Sequence, residues 1–385
     1  MVTAPSFKPS HPFFGSGPCA KPKSWNPTIY KNAVLARSHR STTALKKLRE
    51  VVQLTHSILK IPNEYKLAIV PGSATGAMEI LFLNLLGIKP ITIFTHDAFS
   101  YRWEIDITER LNLDCAEIRR ADFGFLPDTS QINSKSDIVI NLNGSTSGVK
   151  YPDLDFIPPN HDGLVIADIT SAAFTTDIPW HKIDAAGFSW QKGLGGEGAH
   201  GMVALSPKAI DRLQKNTPKL GTPYLLEIAN KNGFIESIFE EKTINTPSML
   251  CVEDFLFCLK WALDSGGAQW LTEKSKENLL VIKKWIKKND WLAFSAKHEN
   301  YLSSSTIVFE ITEKRYQNLH LSEKKHFNQK IADFMESNQI AFDILNHPFS
   351  PPSFRIWGGA TIDKLDLEIL TKWFEWAYHV TLKEL

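Results

Sequence analysis

The sequence predicts an α/β protein, with a large domain on a mostly parallel sheet over residues 30–265 and a smaller α+β domain over residues 266–385. Three observations predict it. Short apolar runs alternate with helical segments along the first part of the chain, which is the rhythm of a sheet wrapped by helices. Those runs are apolar at both odd and even positions, as strands covered on both faces are. After residue 265 the rhythm changes to long amphipathic helices with isolated strands between them, in a segment large enough for its own core.

The elements follow in order. Residues 1–29 are rich in Pro, Gly and Ser and read as an irregular arm. A helix over "TALKKLREVVQLTHSIL" precedes the first strand, "KLAIV", which leads into the helix "GAMEILFLNLLG" with its glycine stop. "ITIF", "DIVINLN", "GLVIAD", "AAGFSW" and "GMVAL" are the further strands. "MLCVEDFLFCLKWALDSGG" and "ENLLVIKKWIKK" are helices, and then come "TIVFEI", the helix "KKHFNQKIADFMES", a strand-like "IAFDI", "SFRIWGGAT" and a last helix, "DLEILTKWFEWAYHV". No internal repeat or low-complexity tract interrupts them.

Composition narrows the function. Lys and Arg number 43 against 42 Asp and Glu, so the net charge is +1 and gives no electrostatic basis for binding nucleic acid or an anionic membrane. Any anion must be held by a local cluster. Cys19, Cys115, Cys251 and Cys258 have no CxxC spacing, so neither a metal site nor a redox pair is expected. With no signal-peptide pattern and no membrane-length apolar run, a cytoplasmic protein with reduced thiols is expected.

In open α/β sheets ligands bind beyond the carboxyl ends of the strands, so the polar residues closing the apolar runs are the ones to collect. Asp168 closes "LVIAD", Lys192 follows "FSWQ", and the loop "PGSATG" follows "LAIV". Singly, each has a plain reading: a turn-forming Asp, a solvated Lys, a turn into a helix. Together they supply what pyridoxal phosphate needs. Lys192 offers an amine for its aldehyde, Asp168 a carboxylate to keep its ring nitrogen protonated, and Ser73, Ala74 and Thr75 the free N–H groups of a helix N-terminus for its phosphate. Five glycines follow by Gly201, in "KGLGGEGAHG", and are expected to give the amine room to swing and to let backbone approach closely.

At these residues the sequence resembles phosphoserine aminotransferase, a homodimeric family of fold-type I pyridoxal-phosphate enzymes in the class V aminotransferase group. The resemblance rests on "FSWQKGLGGEGAHG", "IADITSAAF", "SHRS", "TINTPSMLCVEDFL" and "FRIWGGAT" and runs from about Phe13 to the last helix. It implies that Lys192 attaches the cofactor, Asp168 pairs with its ring nitrogen, and Gln191 contacts its oxygen or phosphate. It also implies that Phe99, with Trp103 as second candidate, stacks on the ring, and that Ser145, with Thr146 adjacent, touches the cofactor. Asn245 and Thr246 are implied to reach the cofactor phosphate of the partner subunit. For substrate, the family pattern points to His39 and Arg40 for the distal phosphate or side-chain carboxylate and to Arg355 for the α-carboxylate, which a guanidinium grips through two parallel hydrogen bonds. Thr75 stands where other branches place an arginine.

The implied reaction exchanges an amino group between glutamate and 3-phosphohydroxypyruvate, giving 2-oxoglutarate and O-phosphoserine in serine biosynthesis, with a side role in pyridoxine biosynthesis known in parts of the family. The alternatives are another class V aminotransferase, such as one acting on alanine or serine and glyoxylate, and a protein that binds pyridoxal phosphate without turnover. A cysteine desulfurase is less supported, because none of the four thiols sits in a recognisable mobile catalytic loop.

Overall fold

A computed structural model describes residues 4–114, 117–216, 220–240 and 242–384, so Cys115 lies outside the described residues. Ser41 caps helix α1 (Thr42–Ile58) by accepting from the Ala44 amide, and Ala44, Leu48, Val51, Thr55 and Ile58 form its buried stripe at helical spacing. Strand β1 (Lys66–Pro71) then enters helix α2 (Ser73–Leu85), which is apolar nearly all round because it lies beneath the sheet. Its approach explains two glycines. A Cβ at Gly187 would sit 2.6 Å from the Met78 sulfur, and one at Gly201 would sit 2.2 Å from the Ser73 carbonyl.

The main sheet continues with β2 (Ile91–Thr95), helix α3 (Ala98–Ile105), β3 (Glu117–Arg120), β4 (Asp137–Asn141), β5 (Val165–Asp168), β6 (Ala185–Ser189) and β7 (His200–Leu205), followed by helix α4 (Pro207–Lys215). Its strand order is β1-β7-β6-β5-β4-β2-β3. The strands from β6 to β3 run parallel, while β7 is antiparallel to both β1 and β6. The carboxyl ends of β1, β2, β4, β5 and β6 therefore meet at one end of the sheet, together with the start of β7. Pro71 lies opposite His200, and Ser189 opposite Gly201. A buried ion pair braces the other end: Arg212 of α4 reaches Asp137 at 2.6 Å, and Asp137 also accepts from the Leu164 amide.

A hairpin of β8 (Ala229–Asn230) and β9 (Gly233–Phe234) precedes helices α5 (Met249–Asp264) and α6 (Gly267–Lys288). Then β10 (Leu292–Phe294), β11 (Thr306–Ile311), helix α7 (Lys314–Gln317), helix α8 (Leu321–Ser337), β12 (Phe354–Trp357) and helix α9 (Lys364–Thr381) complete the chain. The antiparallel sheet β10-β11-β12 packs with α6, α8 and α9 around an aromatic core in which Trp285 meets Phe309 edge-on at 5.2 Å and Phe354 meets Phe374 at 4.6 Å. None of the helices among the described residues is long and apolar enough to cross a membrane.

One local expectation changes. "IAFDI" is not a regular strand: Gln339 and Asp343, with φ of 56° at both, bend the chain at either side, leaving Phe342 a single bridge to Phe13. The described residues of the arm are tightly packed. Phe14, Cys19 and Ala20 are part of the carboxyl-terminal core, the Phe14 carbonyl accepts from Trp357 and the Pro12 carbonyl from Phe342.

Candidate active site

Lys192 sits three residues beyond the end of β6, just after Trp190, which stacks flat on Phe255 of α5 at 4.7 Å and fixes the exit of the chain. The lysine is 6% exposed. Its Nζ donates to the Ser145 hydroxyl at 3.1 Å and to the Ser16 carbonyl at 3.0 Å, so the arm passes directly over it. Burial lowers its pKa to about 8, helped by the Arg355 charge and opposed by Asp168 and Asp97. Lys192 is thus an amine with a sizeable neutral fraction near physiological pH.

Asp168, at the end of the neighbouring β5, is 7% exposed. One carboxylate oxygen accepts from the Thr170 amide at 2.9 Å and the other from the Trp103 indole at 3.0 Å. Burial raises its pKa and these two hydrogen bonds oppose that rise. Among the described residues no cationic side chain hydrogen-bonds to it. This is a buried acid held by neutral donors, a fitting partner for a protonated heterocycle.

Trp103, the second stacking candidate, is buried with its ring edge against Phe82, so it supports Asp168 and presents no free face. Phe99 does present one: it is half-buried, and Lys192 Nζ lies 5.9 Å from its ring centre. Ser145 and Thr146 also part company. Ser145 faces Lys192, whereas the Thr146 hydroxyl accepts from the Ala98 amide and fixes the start of α3.

At the end of β1, Gly72 and Ser73 take positive φ values of 81° and 55° and both amides turn to the Ala199 carbonyl. The Ser73 amide is therefore engaged, and the α2 N-terminus offers the Ala74 and Thr75 amides and the Ser73 hydroxyl instead. Gln191 lies next to Lys192, and its side-chain Oε1 is buried without a partner.

The glycines after Lys192 serve close backbone approach; the expectation that they free the amine is not what the packing gives. A Cβ at Gly193 would lie 2.4 Å from the Ala173 carbonyl, and one at Gly195, where φ is 71°, would lie 2.0 Å from the Ala20 carbonyl of the arm. Only Gly198 of the five stands in open space. The amine is confined, with a Gly17 Cβ position 3.2 Å from Lys192 Cε.

Arg355 on β12 points the same way. It donates to the Ser145 carbonyl at 3.2 Å, its Nε is buried and unpartnered, and among the described residues no carboxylate pairs with it. It lines a cleft of about 430 Å³ between the arm (Gly15–Pro18) and the loop 343–348. An arginine left without an acid in a cleft is poised for an anionic ligand.

His39, Arg40, Asn245 and Thr246 are not joined to this cluster within one chain. Arg40 and Thr246 are exposed, just before α1 and α5, and among the described residues no hydrogen bond or ion pair links any of the four to Lys192, Asp168 or Arg355. The loop holding Asn245 and Thr246 is anchored by the Ser248 amide, which donates to His200 at 3.0 Å; burial drops the His200 pKa to about 4 and keeps it neutral.

Three residues at the site carried no sequence signal. Ser16 contributes a backbone carbonyl, which any residue type could. Ser171 links Ser145 to Asn143 through its hydroxyl, in a run where one serine looks like another. His347 faces Phe99 at 5.6 Å and lines the Arg355 cleft, from a loop whose path only the fold defines. Cys19 lies nearby, but burial pushes its thiol up to about 12, so it stays protonated.

A phosphoserine aminotransferase of Methanosarcina mazei is 41% identical over 97% of this chain and 98% of its own. The Methanosarcina barkeri protein of the same description is 40% identical over 98% and 99%. The chain belongs to the phosphoserine aminotransferase family. No family model matches it. The fold is shared with the phosphoserine aminotransferase of Cytophaga hutchinsonii (TM-score 0.77, 20% identity, 97% and 98% covered). It is shared equally with a ureidoglycine–glyoxylate aminotransferase of Bacillus subtilis (TM-score 0.76, 12% identity, 98% of each chain). Fold-type I architecture is thus common to aminotransferases of different substrates, and family membership comes from the Methanosarcina relatives.

The residues present fit pyridoxal phosphate. The confined amine, the buried acid without a cation, the unpartnered Gln191 oxygen and the α2 amides are the complementary groups such a molecule requires.

Proposed function

We propose that the chain is a phosphoserine aminotransferase that uses pyridoxal phosphate to move an amino group reversibly between glutamate and 3-phosphohydroxypyruvate. One observation carries the reading: a buried lysine with its pKa near 8 stands beside a buried aspartate without a cationic partner, in a chain 41% identical to a named phosphoserine aminotransferase. When bound, the cofactor supplies an aldehyde for amine exchange and an electron-withdrawing ring that acidifies the substrate α-carbon.

The protein's own groups do the rest. Lys192 Nζ, in its neutral form, takes the α-proton from the amino acid and returns a proton to the α-carbon of the incoming oxo acid. Asp168 holds the ring-nitrogen proton in place. Arg355 orients the substrate through its carboxylate, and the arm over Lys192 keeps bulk water from the amine. His39 and Arg40 bind the distal phosphate, and Asn245 and Thr246 the cofactor phosphate, each acting on the site of a second copy. Support for that homodimer is that Arg40 and Thr246 are exposed, as are the apolar side chains Leu35 at 46% and Tyr224 at 78%.

The test is turnover of O-phosphoserine with 2-oxoglutarate by purified protein, read as glutamate formed, beside serine and alanine at equal concentration. Phosphoserine should win by at least about tenfold, the discrimination expected of a site built to pair a charged group. Equal or better turnover of the unphosphorylated amino acids would assign the chain to another aminotransferase activity. A bound-cofactor absorbance that glutamate leaves unchanged would make it a non-catalytic binder.

A further inference from the structure

Asp168 is held from two directions. The Thr170 amide is a local contact two residues away, while the Trp103 indole arrives from α3, an element on the far side of β4 in sequence, and reaches the second oxygen at 3.0 Å. Trp103 is itself immobile: it is 2% exposed, meets Phe82 edge-on at 5.8 Å, and rides on a helix pinned by the Asp97 capping box and the Ala98–Thr146 hydrogen bond. The buried indole nitrogens of Trp190 and Trp357, by contrast, have no partner.

We propose that Trp103 is a positioning residue that fixes the Asp168 carboxylate, in orientation and in its ionised form, to receive the ring N–H of the cofactor. This rests on the pyridoxal-phosphate reading above. An ionised carboxylate oxygen has two acceptor directions, so the oxygen bound by the indole keeps one for the ring. Burial and the Asp97 charge both disfavour the anion; the Trp103 and Thr170 hydrogen bonds favour it, as does the Lys192 ammonium while charged. Losing the indole N–H would leave a carboxylate that protonates or turns, and a ring nitrogen with a weaker partner.

The experiment compares pyridoxal phosphate affinity, by equilibrium dialysis of the stripped full-length protein, for wild type, Trp103→Phe, Asp168→Asn and the double variant. Phe82→Leu is the control, because it disturbs the same packing without touching the N–H. Trp103→Phe is expected to weaken binding about tenfold, the loss of one hydrogen bond to a charged group. In the Asp168→Asn background the same change is expected to have less than about a twofold effect. The absorbance titration of bound cofactor should shift in Trp103→Phe and not in Phe82→Leu. Equal weakening in both backgrounds, or a matching loss in Phe82→Leu, would reduce Trp103 to packing and overturn the proposal. Failure of the wild type to bind pyridoxal phosphate would overturn the cofactor reading itself.

Discussion

Lys192 shows how far a side chain can be driven from its solution behaviour by its surroundings. In water a lysine amine begins to be available near pH 10.5, and here burial brings that to about 8. The sign follows directly. Below pH 8 the group is an ammonium without a carboxylate partner, and above it a neutral amine. The rate of recombination of stripped protein with pyridoxal phosphate, followed by absorbance, should therefore climb with a midpoint near pH 8; a midpoint near 10 would contradict the burial argument. The same shift means that the unfolded chain binds more protons between pH 8 and 10.5, so this residue's contribution to stability rises with pH across that window. At this scale the sequence was informative wherever the side chain is the chemistry. Lys192, Asp168 and Ser73 close apolar runs and could be picked out by that alone. Ser16 and Ser171 could not, because a backbone carbonyl and a relay hydroxyl leave no mark on residue choice.

Elements follow a similar division. Strands buried on both faces, such as β4, β5 and β6, announce themselves as unbroken apolar runs. The edge strand β3, with two arginines and a glutamate among its four residues, has no apolar run to mark it in the sequence. "IAFDI" misleads in the opposite sense, since its apolar residues face a core from an irregular path. The ion pair between α4 and β4 tests how the helices are tied to the sheet. Arg212→Met leaves Asp137 buried and uncompensated and should cost about 3–5 kcal/mol by chemical denaturation. Adding Asp137→Asn should recover part of it. A cost below about 1 kcal/mol would mean that the pair is wet and loosely held.

For the whole molecule the question is where one site ends and the next chain begins. His39 and Arg40 lie just before α1, and among the described residues no hydrogen bond or ion pair of a single chain links them to Lys192. If a second copy supplies them, inactive variants should rescue one another. Lys192→Ala and Arg40→Ala proteins, mixed after subunit exchange, should recover about a quarter of wild-type activity, because half the dimers are hybrids and each hybrid carries one intact site. No recovery in a mixture shown to contain hybrid dimers would place Arg40 in its own chain's site. No pattern of periodicity or spacing conveys this level of organisation; the "SHRS" and "INTPSM" segments pointed to it only through likeness to a family.

The arm that covers Lys192 has its own partners among residues more than 300 positions further along the chain. Pro12 and Phe14 lean on Phe342 and Trp357, and the Phe7 carbonyl accepts from Trp373. These contacts of the arm can therefore form only after the segment from Phe342 to Trp373 has been synthesised. A nascent chain halted before β12 could complete its seven-stranded sheet and still lack the roof of its catalytic chamber.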